Sequence, residues 1–368
     1  MKSVLRRMTV RSLRRALALL ALTVFFVAPA GRPAAAAAGV SLLDLIETEF
    51  SYDTIEDEYQ HPLTPQHVLD GARVGLIAYL RSRGITNPQV GVMHARDADG
   101  RGAVPAIEQQ LALAIQHYGP RVNALAMVYA VIRGELASLH DPYSVFFTAA
   151  EVKGFSATIG GTAPTSAPDV TSQLLPGNIG YVALHTFSQD AGMKVRYALL
   201  ELAQQGAKAY VFDLRGDGGG YESAAVHVAS DFIPNGPIVA NEGRDGQRRV
   251  SPADGDAVPA LPLVVLVDHD SASGAELVAG AIQDRHAGTL VGAQTFGKGV
   301  AQTMFGLPDG SAIKLTTARY YTAAGRFIEG TGLVPDVAVD EPAGSQIGVP
   351  GHDPQLDRAL QLLAGGPT

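Results

Sequence analysis

The stretch Val264–Gln302 reads VVLVDHDSASGAELVAGAIQDRHAGTLVGAQTFGKGVAQ. An apolar, β-branched run at Leu263–Val267 predicts a buried strand, and Ala275–Ile282 predicts the helix after it. Ser271 and Ser273 fall at the junction. A short strand at Leu290-Val291 then leads to a glycine-flanked lysine, Lys298, 25 residues beyond Ser273, with Gln302 four residues further on. A strand handing over to a helix and then to a second strand is the signature of an α/β layered core.

Outward from this stretch the alternation continues. Ile179–Leu184 and Ala209–Leu214 read as strands, and Ala191–Gln205 and Glu222–Ile233 as helices. A glycine turn, Gly216–Gly220, joins one strand to one helix, and Ala312–Leu315 is a further short strand. Residues 40–155 read as helical instead. Thr64 and Pro65 suit the cap and first turn of one of those helices. Gly, Thr, Ser, Pro and Ala dominate the region after residue 159, the composition of a linker or surface loop. The expected plan is a leader over 1–38, a helical domain over 39–155 and a linker over 156–178. A catalytic α/β core over 179–342 and a C-terminal segment over 343–368 with a short helix complete it.

Two residue types in the opening stretch carry chemistry. A serine at a helix N-terminus sits beside free backbone N–H groups that can stabilise an oxyanion. Serine is also a preferred helix cap, so Ser271 and Ser273 suit capping as well as attack. A free lysine has a pKa of about 10.4 and is neutral at pH 7 only on the order of one molecule in a thousand. Burial would favour its uncharged form and make it a base. Lys298 is otherwise a surface lysine in a turn, and Gln302 either orients the amine or is simply solvated. His269, four residues before Ser273, is a rival base. Residues Asp217 to Gly220 resemble a phosphate loop but match no nucleotide fingerprint, and no G-x-S-x-G elbow occurs.

Composition narrows the classes. Among 368 residues 46% are hydrophobic and 17% charged, which predicts packed cores rather than disorder. A net charge of −8 argues against nucleic acid as a partner. With no cysteine, disulfides, a thiol nucleophile and cysteine zinc sites are excluded. The histidines lack metal-ligand spacing, so neither a metal nor a cofactor is expected. Residues 1–15 carry Lys2, Arg6, Arg7, Arg11, Arg14 and Arg15 and no acid; an apolar run to Ala30 and the alanines Ala34–Ala38 follow. That order reads as a signal peptide, with an uncleaved anchor as the other option, and places the protein outside the cytoplasm: secreted, periplasmic or attached to the cell envelope.

The motifs DLRGDGGG, SASGAELVAGAIQD, TFGKGVAQ and LTTARYYTAAGRFIEGTGLVPD, with LHDPYSVFF upstream, resemble those of the carboxyl-terminal processing (tail-specific) serine proteases. The resemblance spans most of residues 120–365. It implies a crotonase-like (Clp-protease-like) catalytic core, with Ser273 as nucleophile, Lys298 as general base and Gln302 as its partner. It also implies an oxyanion hole from the backbone amides of Gly274 and of the Gly218–Gly220 turn, assigned to Gly219. Family members usually carry a PDZ domain where this chain has only Phe155–Asn178, too short for one of roughly 80–100 residues. The expected protein is a serine endopeptidase without a PDZ domain, acting on protein or peptide substrates. The helical N-terminal domain could also support a homodimer. The competing reading is a non-catalytic peptide- or ligand-binding module on the same fold.

Overall fold

The computed structural model describes residues 39–95, 102–159 and 168–365; the leader expected over 1–38 lies outside them, as does most of the Gly/Thr/Pro-rich part of the linker. The chain forms two compact units. One comprises residues up to Tyr52 with Thr64–Ser138, the other Asp53–Leu63 with Leu139–Thr368.

The first unit is helical. Helix α1 (Leu42–Glu58) is divided between the units at Tyr52. Helices α2 (Pro65–Ser82), α3 (Ala103–Tyr118) and α4 (Ala124–Ser138) follow. As expected, Thr64 caps α2, its hydroxyl accepting the His67 N–H at 3.4 Å, and Pro65 occupies the first turn. Helices α2 and α4 meet backbone to backbone: a Cβ placed on Gly75 would lie 2.0 Å from the Ala130 carbonyl oxygen. No larger residue fits there without separating the helices.

The second unit contains two sheets. After β1 (Val145–Phe147) and α5 (Ala149–Ile159) come β2 (Val170–Leu175), β3 (Ile179–Leu184), α6 (Ala191–Gln204), β4 (Ala209–Asp213) and α7 (Glu222–Phe232). Next are β5 (Pro237–Gly243), β6 (Arg248–Pro252), β7 (Leu263–Val267), α8 (Gly274–Asp284) and β8 (Thr289–Gly292). The chain continues through β9 (Val300–Gly306), β10 (Ala312–Thr322) and β11 (Val337–Ala338) to α9 (Pro354–Leu363). The main sheet has the order β11-β8-β7-β4-β3-β2, parallel except for the β2–β3 pair. Side chains alternate across it. Val182, Phe212 and Val265 pack with Val195, Val228 and Val278 of α6, α7 and α8. Val211, Val264 and Leu266 pack with Leu356 and Ala359 of α9 on the other face. Burial on both faces explains why these strands read as continuous apolar runs. The second sheet has the order β1-β10-β5-β6, with β9 also on β10.

The core elements lie where periodicity puts them, while the boundaries between regions do not. The compact division places residues 139–155 with the second unit, because β1 pairs with β10 (Val145 opposite Lys314). Asp53–Leu63 joins them, with the Gln60 N–H donating to Thr316 O at 2.9 Å. The expected linker over 156–178 contains β2, an edge strand whose Thr171-Ser172-Gln173 centre is exposed; its polar side chains hid it.

Candidate active site

Strand β7 ends at Val267, and Asp268 then gathers the turn. Its carboxylate accepts N–H bonds from Gly216, Asp270 and Ser271 at 2.9–3.1 Å. Ser271 Oγ donates to Leu214 O at 2.8 Å, so Ser271 fastens the β7 turn to the end of β4. Ser273, not Ser271, is the N-cap of α8. Its φ of 55° and ψ of −112° put a non-glycine residue in a sparsely populated region, a strain typical of reactive turns. The Gly274 amide is the first of α8 and has no acceptor among the described residues. His269 is exposed and Asp268 is committed to the turn; of the two carboxylates that could orient this rival base, Asp268 and Asp270, neither is hydrogen-bonded to it among the described residues.

The turn after β4 lies directly against this serine. A Cβ on Gly219 would sit 2.6 Å from Gly274 N and 2.8 Å from Ser273 Cβ; the position must be glycine for the turn to approach so closely. The amide of Gly219 is not free, however. It donates to Asp217 Oδ1 at 2.7 Å, an Asx turn in which the aspartate accepts the N–H two residues on. Among the described residues, its neighbours in the turn, the amides of Gly218 and Gly220, have no acceptor. Asp217 is fully buried, and its Oδ2 has no partner. Burial pushes its carboxyl up to about 7, against the opposing Gly219 bond.

One buried carboxylate ties the serine to the lysine. Glu276, in the first turn of α8, accepts the Ser273 N–H at 2.9 Å and the Lys298 N–H at 2.8 Å. It also accepts the Gly297 N–H at 2.7 Å and the Thr295 hydroxyl at 2.5 Å. The sequence reading missed this residue, although Ser273-x-x-Glu276 has the capping-box spacing that marks a glutamate folding back on the cap. Lys298 leads into β9. Its Nζ lies 5.1 Å from the centre of the Tyr143 ring, which the Asp141–Ser144 turn holds there through the Ser144 Oγ bond to Asp141 at 2.6 Å. Burial lowers the pKa of Lys298. The like charge of Lys314 adds to this, while Glu329 and Glu276 oppose it.

Gln302 sits on β9 opposite Thr316. Its Nε2 donates to Val300 O and to Thr316 Oγ1, both at 3.3 Å. Among the described residues no hydrogen bond joins Lys298 Nζ to Ser273 Oγ or to Gln302. The structure therefore fixes the backbones of Ser273 and Lys298 on a common carboxylate, sets Gly274 beside the serine, and leaves Gln302 bonded within its own sheet. No group of metal-ligating side chains occurs among the described residues.

Residues 178–339 match the model of peptidase family S41. The carboxyl-terminal-processing protease of Synechocystis sp. is 42% identical over 194 residues, 52% of this chain and 45% of that protein. The chloroplastic C-terminal processing peptidase of Tetradesmus obliquus is 39% identical over 189 residues, 50% of this chain and 41% of that protein. The carboxy-terminal processing protease CtpA of Bacillus subtilis is 36% identical over 174 residues, 47% of this chain and 37% of that protein. The chain thus spans less than half the length of these curated relatives. A solved photosystem II D1 C-terminal processing protease shares the fold at a TM-score of 0.57 and 22% identity, over 82% of this chain and 94% of that one. The segment running from the hairpin before β3 to β11, which holds every residue of the site except the Tyr143 turn, is a peptidase family S41 domain of the serine-peptidase type, related to the carboxyl-terminal-processing proteases.

Proposed function

We propose that the chain is an exported serine endopeptidase with a crotonase-like catalytic core and no PDZ domain, hydrolysing peptide bonds through Ser273 and Lys298. The carrying observation is the Glu276 carboxylate, which holds the Ser273 and Lys298 amides at 2.9 and 2.8 Å while burial lowers the pKa of the lysine amine. Neutral Lys298 takes the proton from Ser273 Oγ as the oxygen adds to the scissile carbonyl. The resulting oxyanion lies against the free amides of Gly274 and Gly220, at the positive end of α8. Protonated Lys298 then gives its proton to the leaving amine, and the ester remains on Ser273. Lys298, neutral again, takes a proton from water, whose oxygen adds to the ester carbonyl. Collapse of that intermediate frees the carboxylate and returns the proton to Ser273. Gln302 completes the site by turning toward the amine once substrate binds. The basic and apolar leader suits an enzyme working outside the cytoplasm.

One observation favours a binding module instead: Ser273 Oγ and Lys298 Nζ are not hydrogen-bonded to each other. A fluorophosphonate probe decides between the two. The enzyme should take up one equivalent at Ser273, and Ser273→Ala and Lys298→Ala should each lose both labelling and peptide cleavage. Failure to label Ser273, together with no peptide turnover, would support the binding module.

A further inference from the structure

A cavity of about 340 Å³ opens beside this site. Gly220 and Glu222, at the start of α7, form one side; Asn241 of β5, Gln302 of β9 and Tyr320 of β10 are among the residues opposite. Gly220 directly follows the glycine packed on Ser273 and Gly274. Gln302 lies four residues beyond Lys298, and the Tyr320 N–H bonds to Gly299 O at 2.7 Å. The cavity therefore adjoins the turn packed on the nucleophile and the strand that follows the base. A polypeptide with its scissile carbonyl at Ser273 has a neighbouring side chain within reach of it.

The wall is rich in acceptors and poor in donors. Asn241 Nδ2 donates to Glu222 Oε1 at 2.5 Å. Because a carboxylate only accepts, this bond fixes the amide's orientation. Asn241 Oδ1 is consequently left buried and without a partner. The second oxygen of Glu222 has no donor among the described residues, and Gln302 spends its Nε2 on Val300 and Thr316. No lysine, arginine or histidine lines the cavity, and Glu222 is its one charged group. Burial raises the pKa of Glu222, against the bond from Asn241, as expected of a carboxylate without a counter-charge.

We infer that this cavity is a substrate subsite for a cationic side chain, lysine or arginine, whose N–H groups meet the Glu222 carboxylate. The inference rests on the proteolytic reading, yet can be tested apart from it. Two series of matched peptides carry lysine, norleucine, glutamine or glutamate, one position at a time, on either side of the cleaved bond. Binding is read by fluorescence anisotropy with the full Ser273→Ala chain, and kcat/KM with the unaltered protein. At one position lysine should exceed norleucine by about tenfold or more, the discrimination expected when buried polar groups would otherwise stay unpaired. Glu222→Gln should collapse that ratio toward one, and Glu222→Lys should invert it in favour of glutamate; a melting curve for each verifies folding. Norleucine or glutamine binding as well as lysine at every position overturns the subsite. So does a lysine preference that survives both substitutions. If lysine is preferred in binding but no peptide is cleaved, the subsite stands and the peptidase reading falls.

Discussion

A neutral amine at Lys298 is favoured by what surrounds it: burial first, then the like charge of Lys314. Activity should therefore rise with pH through a lysine pKa below the ordinary 10.5, and His269→Ala should leave that profile in place. A profile that shifts with His269→Ala would move the base to histidine. Lys298→Arg should be inactive, since a guanidinium holds its proton throughout the working range. Asp217 titrates in the opposite sense. Its carboxyl is raised from 3.8 to about 7, so the folded state binds the proton more tightly than the unfolded chain does. The stabilisation is complete below about pH 4 and lost as pH climbs through about 7, up to roughly 4 kcal/mol in all. Asparagine mimics the protonated acid. Asp217→Asn should therefore match the parent's melting temperature at pH 3.5 and exceed it increasingly up to pH 8. Equal melting temperatures at both values would show that Asp217 is not buried as a strained anion. This residue was legible only as part of a glycine-rich turn, because nothing local in the sequence shows that its carboxylate is buried.

At the scale of elements, the proposed active site is a joint between the N-terminus of α8 and the loop before β9, and Glu276 is the pin. Glu276→Gln keeps the shape but replaces an acceptor oxygen with an N–H₂ group, which faces backbone donors. Some of the four donors must then separate from it, and Ser273 and Lys298 lose their common anchor. A displacement of about 1 Å costs on the order of 10²-fold in rate, so kcat should fall by about that factor with KM little changed. A lowered melting temperature with kcat intact would make Glu276 a purely structural residue. The β7–α8 unit that carries the pin was readable because every signal for it is local: an apolar run, a serine cap and a helix period. Strands β5, β6 and β9 were not. Their faces are mixed in burial, and β5 needs a partner far along the chain, Ala240 pairing Tyr321 of β10, although it also pairs the next strand, β6, as β9 pairs β10. Gln302 shows the same limit, since its spacing from Lys298 places it nearby but does not determine what its amide bonds to.

At the scale of the whole molecule, the second unit is assembled from separated stretches of chain. Arg215, almost fully buried, binds Asp213 at 2.6 Å, Asp353 at 2.7 Å and Glu341 at 3.2 Å, which locks α9 against the strand that carries the glycine turn. Burial pushes the Asp353 carboxyl up, but Arg215 and the Leu356 and Gly348 amides hold it below its usual range. Only residues 160–169 separate α5 from β2, and β2 pairs at once with β3. On the proposed reading no domain inserted there offers a groove that takes a peptide as an added strand and holds its terminal carboxylate. Substrate choice then falls to the cleft beside Ser273, where an internal side chain can be read and a chain end need not be. Matched peptides with free and amidated C-termini should accordingly be cleaved with kcat/KM values within a few-fold of each other. A difference of tenfold or more, about 1.4 kcal/mol, would require a carboxylate site elsewhere. Arg319 is then the residue to replace, because its guanidinium meets His61 Nδ1 at 3.4 Å and the face of Phe327 and, among the described residues, has no carboxylate hydrogen-bonded to it. Arg319→Ala abolishing that difference would locate terminal recognition in the catalytic unit itself.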